Sequence, residues 1–211
     1  RAIALAKTGQ TLSYETGDDG WYEKGVAWPN PRFTDNGDGT ITDHLTGLIW
    51  DQTGDRFGSE IWPSALGDCN DLVLGGHEDW RLPNRRELRS LMNYAEPTQA
   101  SWLNSPTGLF SNIQSGYHWT STTYSSSTSR AYRISLGSAY MWSNIKGTDS
   151  NYVLAVRGAP TSGQVPLAAT GQSSSYASGD DGNLQVGVPW PNPRFVDNGD
   201  GTVTDHLTGL V

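Results

Sequence analysis

Apolar and polar positions alternate with a period of two over most of this chain and take the helical period in two stretches. From Arg32 the pattern reads as a β-meander: Phe33-Thr-Asp35, a turn at Asn36-Gly-Asp-Gly39, Thr40-Ile-Thr-Asp43, a turn near Thr46-Gly47, then Leu48-Ile-Trp50. Asn-Gly and Asp-Gly supply the positive φ that tight hairpins need. Ser59 to Leu74 predicts the first helix, with Pro63 in its first turn and Gly75-Gly76 as its stop. Trp62, Ala65, Leu66, Cys69 and Leu72 fall on one face. Asn84 opens a second helix as N-cap, with Glu87 in the capping-box position; Leu88, Leu91 and Met92 form its inner stripe, and Arg85, Arg86 and Arg89 face outward. A loop through Pro97 and Pro106 leads to strands at Tyr117–Ser121, Arg130–Leu136, the Tyr140–Ile145 stretch and Tyr152–Arg157. In the third of these, Met141 and Ile145 point inward and Tyr140, Trp142 and Asn144 outward.

The hairpin pattern is written twice. Its first Trp stands at 28 in one copy and at 190 in the other, an ungapped offset of 162 that also maps Thr8-Gly9-Gln10 onto Thr170-Gly171-Gln172. From Ile3–Ile49 to Val165–Val211 roughly two thirds of the positions are identical. A period this long exceeds the 20 to 50 residues of solenoid repeats, so the repeating unit is a domain. The boundaries follow: an extended N-terminal arm over 1–30, a module over 31–160, a linker and repeated arm over 161–192, and the truncated start of a second, tandem module over 193–211. The arm is turn-rich and read as extended, with Pro29 and Pro31 holding the backbone open. A stub lacking the helices of its own module needs something to hold it, and a neighbouring copy is the simplest expectation. A chain opening at Arg1 and stopping mid-pattern reads as a piece of a longer one.

With 211 residues and a net charge of −8, the chain is a poor match to nucleic acid or an anionic membrane. No apolar run approaches 18 residues. The abundance of Ser, Thr, Gly, Asn, Trp and Tyr suits an extracellular, β-rich surface. A single cysteine, Cys69, has no partner for an internal disulfide and lies on the apolar helix face, where it reads as a small buried hydrophobe. Asp35, Asn36, Asp38 and Asp43 crowd as in a calcium loop, but with Gly39 in the obligatory glycine position the twelfth place falls on Leu45, not an acid, so turn chemistry is the stronger reading. No convergent catalytic set stands out: His44 and His206 are repeat equivalents in a hairpin, and His77 and His118 lack a triad motif. No cofactor is implied.

The segments Arg32–Trp50, Asp79-Trp-Arg-Leu-Pro-Asn84 with Glu87-Leu88, Trp119-Thr-Ser-Thr-Thr123 and Val156-Arg-Gly158 resemble, in order and spacing, the Lcl C-terminal domain family. The resemblance implies an α+β fold related to C-type lectin-like domains and formylglycine-generating enzymes, with two helices flanking a twisted, mostly antiparallel sheet. It also implies secreted or surface-exposed bacterial proteins, often with modules in tandem. The collagen-like adhesin that gives the family its name forms trimers and binds sulfated glycosaminoglycans. Two departures limit the transfer: Gly158 stands where some members have a cysteine after the final Val-Arg, and an acidic chain lacks the basic patch a sulfated polyanion requires.

Two non-catalytic readings follow. In one, the module is a block of a tandem array or fibre, joined head to tail through its arm to neighbouring copies, with Tyr14, Trp28, Phe33, Tyr176, Trp190 and Phe195 as assembly residues. In the other it is an adhesion domain that binds a glycan or a cell-surface protein through Trp119, Tyr132, Tyr140, Trp142 and Asn144. The near-identity of the two arms favours the first.

Overall fold

The computed structural model describes residues 2–159 and 164–211. It is a mixed α+β structure dominated by two open sheets. The hairpin pattern folds as expected into β1 (Phe33–Asp35), β2 (Thr40–Asp43) and β3 (Ile49–Asp51), joined antiparallel. The turn between β1 and β2 closes because Gly37 and Gly39 take φ of 77° and 85° and the Asp38 carboxylate accepts from Thr40 N at 3.1 Å.

The stretch after β3 departs from the single helix expected over Ser59–Leu74. Ser59–Ile61 is a strand, β4; the helix runs only Trp62–Asn70 and ends on Asp71 rather than at the glycines. An apolar face of helical spacing fixed which residues were buried, and Trp62, Ala65, Leu66 and Cys69 are; it does not mark where a strand ends. The next helix, Arg85–Ser90, carries the expected capping box, with Asn84 accepting from Arg86 N and Glu87 N and donating its own N–H to Glu87. The expected loop through Pro97 and Pro106 contains a further short helix, Gln99–Leu103, capped by Thr98 without a side-chain bond.

Strands β5 (Tyr117–Thr123), β6 (Arg130–Ser135) and β7 (Met141–Ile145) then form a meander. The last expected strand is two: β8 (Ser150–Tyr152) joins this second sheet and β9 (Val156–Arg157) joins the first. The sheet orders are β1-β2-β3-β9 and β4-β8-β5-β6-β7, antiparallel except where β5 meets β8. On β7 it is Ser143 that is buried, while Ile145 lies exposed at the strand end, against the expectation that it points inward. One apolar cluster, built on Phe33, Trp50, Leu88 and Leu103, fills the space between the first sheet and the helices; a second packs Trp62, Trp80, Leu82 and Trp119. Arg81 crosses between them: its backbone pairs with Val156 in both directions, and its guanidinium grips Glu87 at 2.7 Å through two nitrogens.

Residues 193–211 rebuild the start of the fold in the same register. β10 (Phe195–Asp197) pairs β11 (Val203–Asp205), with Phe195 opposite Asp205 as Phe33 is opposite Asp43, and Arg194 holds Asp205 as Arg32 holds Asp43. This stub is touched by its own chain as well: Ile3 N donates to Leu207 O at 2.8 Å, and Leu207 is buried. The surroundings of the two hairpins differ sharply, since Phe33 is 2% exposed and Phe195 59%. Phe33→Ala is therefore expected to cost about 3–5 kcal/mol and Phe195→Ala under about 0.5 kcal/mol in thermal or denaturant unfolding, although the two residues are repeat equivalents.

Candidate functional site

The repeated arm is not merely extended. Each copy folds on itself into a hook, and its main bonds are the same in both, although the Lys7–Glu23 ion pair belongs to the first alone. A bridge joins Ala6 to Val26 in the first arm and Ala168 to Val188 in the second. Trp28 Nε1 donates to Lys7 O, and Trp190 Nε1 to Ala169 O. Each hook turns through one helical turn, Asp19–Tyr22 or Asp181–Leu184, whose N-cap aspartate, Asp18 or Asp180, also accepts from the amide of Tyr14 or Tyr176 at 2.7 Å. Thr8 donates to Asp19 and Thr170 to Asp181. Gly20 and Gly182 sit under the facing carbonyls of Leu12 and Ser174, where a Cβ would collide with backbone.

The second hook is docked on the module. Thr122, at the end of β5, donates to Asp181 Oδ2 at 2.7 Å and itself accepts from Arg85 N at 3.0 Å. Thr123 N donates to Gln172 Oε1 at 2.8 Å, and its hydroxyl accepts from Lys146 Nζ, whose charge lies 4.0 Å from the Trp62 ring and 5.0 Å from that of Tyr176. Asn70 reaches Ser178 O at 3.5 Å, and Gly179 fits against the Asn70 amide with no room for a side chain. Val165 N donates to Leu45 O at 2.8 Å where the arm begins. Asp181 is only 2% exposed. Burial pushes its carboxyl above the ordinary range, and the Thr170 and Thr122 hydroxyls pull it back in part. Between the docked arm and the module lies a cleft of about 340 Å³ lined by Arg85, Tyr124, Tyr132, Gln172 and Tyr176 among others.

Residues 39–157 match the Lcl C-terminal domain, more than half of the chain. The chain belongs to the Lcl C-terminal domain family. No curated protein matches it. The match opens inside the first hairpin, at Gly39, and closes on β9, so the groove residues Asn70, Thr122, Thr123 and Lys146 belong to the Lcl C-terminal domain and the docked hook lies beyond the matched residues.

Placed on this framework, the residues singled out from the sequence divide. Tyr140 and Trp142 stack with ring centroids 6.1 Å apart and are each 55% exposed. Asn144 lies between Arg133 and Asp149, where turning its oxygen to Arg133 and its nitrogen to Asp149 satisfies both. Tyr132 is half-buried under Arg85 and beside Tyr124. Trp119, expected to be a contact residue, is fully buried and donates to Glu60 O, so it is core and not contact surface. Phe33 is core, not interface, and Trp28 is half-buried on its own module against Arg32 and Trp102. Tyr14 is 79% exposed and its docked counterpart Tyr176 48%. Of the calcium candidates, Asp35 and Asp38 cap the turn, Asn36 bonds Thr40, and Asp43 is buried against Arg32. Among the described residues no three His, Cys, Asp or Glu side chains are placed to hold a metal ion. Residues 161–163 of the expected linker lie outside the described residues. What sequence reasoning missed is the groove: Asn70 and Lys146 carry no motif, and the Trp119–Thr123 motif that contains Thr122 and Thr123 points to the family and not to a contact surface.

Two acid–base groups, the buried His118 and the partly exposed Glu60, act on the pH response of the module in opposite directions. Burial drives His118 down to about 4, and burial beside Asp68 drives Glu60 up to about 7. His118 stays neutral in the fold while the unfolded chain takes a proton below 6.5, so its contribution to stability rises with pH between about 4 and 6.5. Glu60 keeps a proton that the unfolded chain releases near 4.5, so its contribution falls between 4.5 and about 7. The two slopes oppose each other; Glu60→Gln is expected to unmask a stability that climbs from pH 4 to 6.5 in denaturant titrations. At the groove, Thr122→Val removes a donor to a buried carboxylate, a loss of about 1.5–3 kcal/mol. Hydrogen exchange at residues 172–186 should then quicken roughly 10- to 100-fold, with the module's strand amides unchanged and only Arg85 N, which loses its acceptor, affected beside them.

Proposed function

We propose that this chain is a non-catalytic module of a bacterial extracellular or surface array, in which the repeated hook fastens one Lcl C-terminal domain to the next, head to tail, as in a fibre. The observation that carries this reading is the Asp181 carboxylate. It is buried where hook and module meet and accepts one hydroxyl from each, Thr170 of the hook and Thr122 of the module. A plain linker has no reason to place a charged side chain there, since burying an unpaired carboxylate is costly. The hook is an ordered connector, and the hairpin that follows it starts the next module in the register of the first.

Further features fit. Cys69 is buried with its thiol pushed well up by burial, and His118 is neutral and enclosed, so neither is a ready nucleophile or base. Among the described residues no helix is long and apolar enough to cross a membrane. The fold is read as C-type lectin-like on the family resemblance, with helices flanking a mostly antiparallel pair of sheets as support. A surface or extracellular location rests on that family and on a composition poor in charge. Neighbouring modules are the partners, with no nucleic acid and no cofactor.

A second reading has one observation behind it. The stacked Tyr140–Trp142 pair beside the outer strand β7 is an exposed aromatic platform of the kind that meets a sugar ring or a protein surface. Adhesion through this face is compatible with the array, and Trp142→Ala would abolish it without disturbing the hook.

The array reading is tested by comparing the two hooks in the same molecule. Hydrogen exchange and limited proteolysis are expected to find residues 170–188 protected at least about 10-fold more than residues 8–26, despite their shared sequence. Equal, rapid exchange in both would mean the hook does not join modules.

A further inference from the structure

The two hooks are copies in different surroundings. The second spends its outer face on the module before it. The first, folded by the same main bonds, keeps the matching face open: the Asp19 carboxylate bonds only Thr8, and Gln10 bonds within its own arm, among the described residues. Tyr14 and Leu12 stand in solvent beside them. A preformed element with a vacant recognition face has already met most of the ordering cost of binding.

We infer that the first hook docks into the Asn70–Thr122–Thr123–Lys146 groove of a second copy of this module, taking there the place that the second hook takes here. The inference rests on the reading that hooks join modules, and it adds the identity of the receiving surface. The occupant of that surface is visible: a segment with the same Thr, Gln, Tyr and paired aspartates is seated on it. Asp19 would receive the Thr122 hydroxyl as Asp181 does, Gln10 the Thr123 amide as Gln172 does, and Tyr14 would lie against Lys146 as Tyr176 does. Gly17 preserves the glycine that Asn70 demands of Gly179. One position differs. Ala177 packs against the Trp62–Trp80 cluster, and the first hook has Glu15 there, a carboxylate beside the tyrosine that faces Lys146. In an intact copy the groove is filled by the copy's own second hook, which covalent linkage holds at high effective concentration. Exchange between copies therefore needs that hook to be released.

The test uses the full chain. Gly182→Leu breaks the second hook by driving a side chain into the Ser174 carbonyl, and Gly20→Leu does the same to the first against Leu12. Asp181→Lys serves as a second way to release the docked hook without touching its backbone. Sedimentation over a concentration series is expected to show the unaltered chain and Gly20→Leu as monomers. Gly182→Leu and Asp181→Lys should gain mass with concentration, at least doubling, with residues 8–22 acquiring at least about 10-fold protection from hydrogen exchange as they associate. The double variant Gly20→Leu with Gly182→Leu should return to monomer. Monomeric single variants in which residues 170–188 exchange freely and the module stays protected would overturn the inference while leaving the array reading intact. Association of the double variant equal to that of Gly182→Leu would overturn it too, since the contact would then not use the first hook. Rapid exchange of residues 170–188 in the unaltered chain would instead sink the array reading itself.

Discussion

The buried pair between Arg81 and Glu87 holds the rest in place. Two guanidinium nitrogens meet two carboxylate oxygens at 2.7 Å, a third contact runs to Gly158 O, and the same carboxylate caps the helix by accepting from Asn84 N. Both partners are enclosed, and removing one from such a pair strands the other's charge, at about 3–5 kcal/mol. Through Arg81 the link from Trp80 is pinned to β9 of the first sheet, and through Glu87 to the helix that roofs the core. That helix in turn presents Arg85 N to Thr122, and Thr122 presents its hydroxyl to Asp181. The contact between the second hook and the module is thus aimed by a chain of polar contacts that begins deep in the fold.

The groove's polar groups are two threonines on a strand end fixed by sheet pairing on one side and by a capped helix on the other. The hook meets them with a carboxylate held by Thr170 and an amide held by Ser174 O. Groups pre-positioned in this way lose little freedom on docking, which is the condition under which a handful of hydrogen bonds suffices.

Much of this could be read in advance, and the failures have causes. The capping box at Asn84 and Glu87, the hairpin glycines and the burial of Cys69 are local signals, and local chemistry decides them. Phe33 and Phe195 are repeat equivalents, yet recurrence preserves core and interface alike and cannot separate them; only the 2% against 59% exposure does. Trp119 is a candidate contact residue from sequence, but β5 lies in the interior of its sheet and from His118 on is covered on both faces, which erases the alternation that tells inside from outside. The short strand Ser59–Ile61 was lost in a helical pattern because three residues are too few to show a period. The groove was silent because threonine, asparagine and lysine gain their meaning only from being brought together by distant strands.

In the array proposed above, one hook and one groove per module, placed so that the hook leads and the groove follows, would give the repeat a direction. Such a strand would be vectorial, like a chain of couplings that all face the same way, with two tips that are chemically distinct and open to separate capping, anchoring or extension.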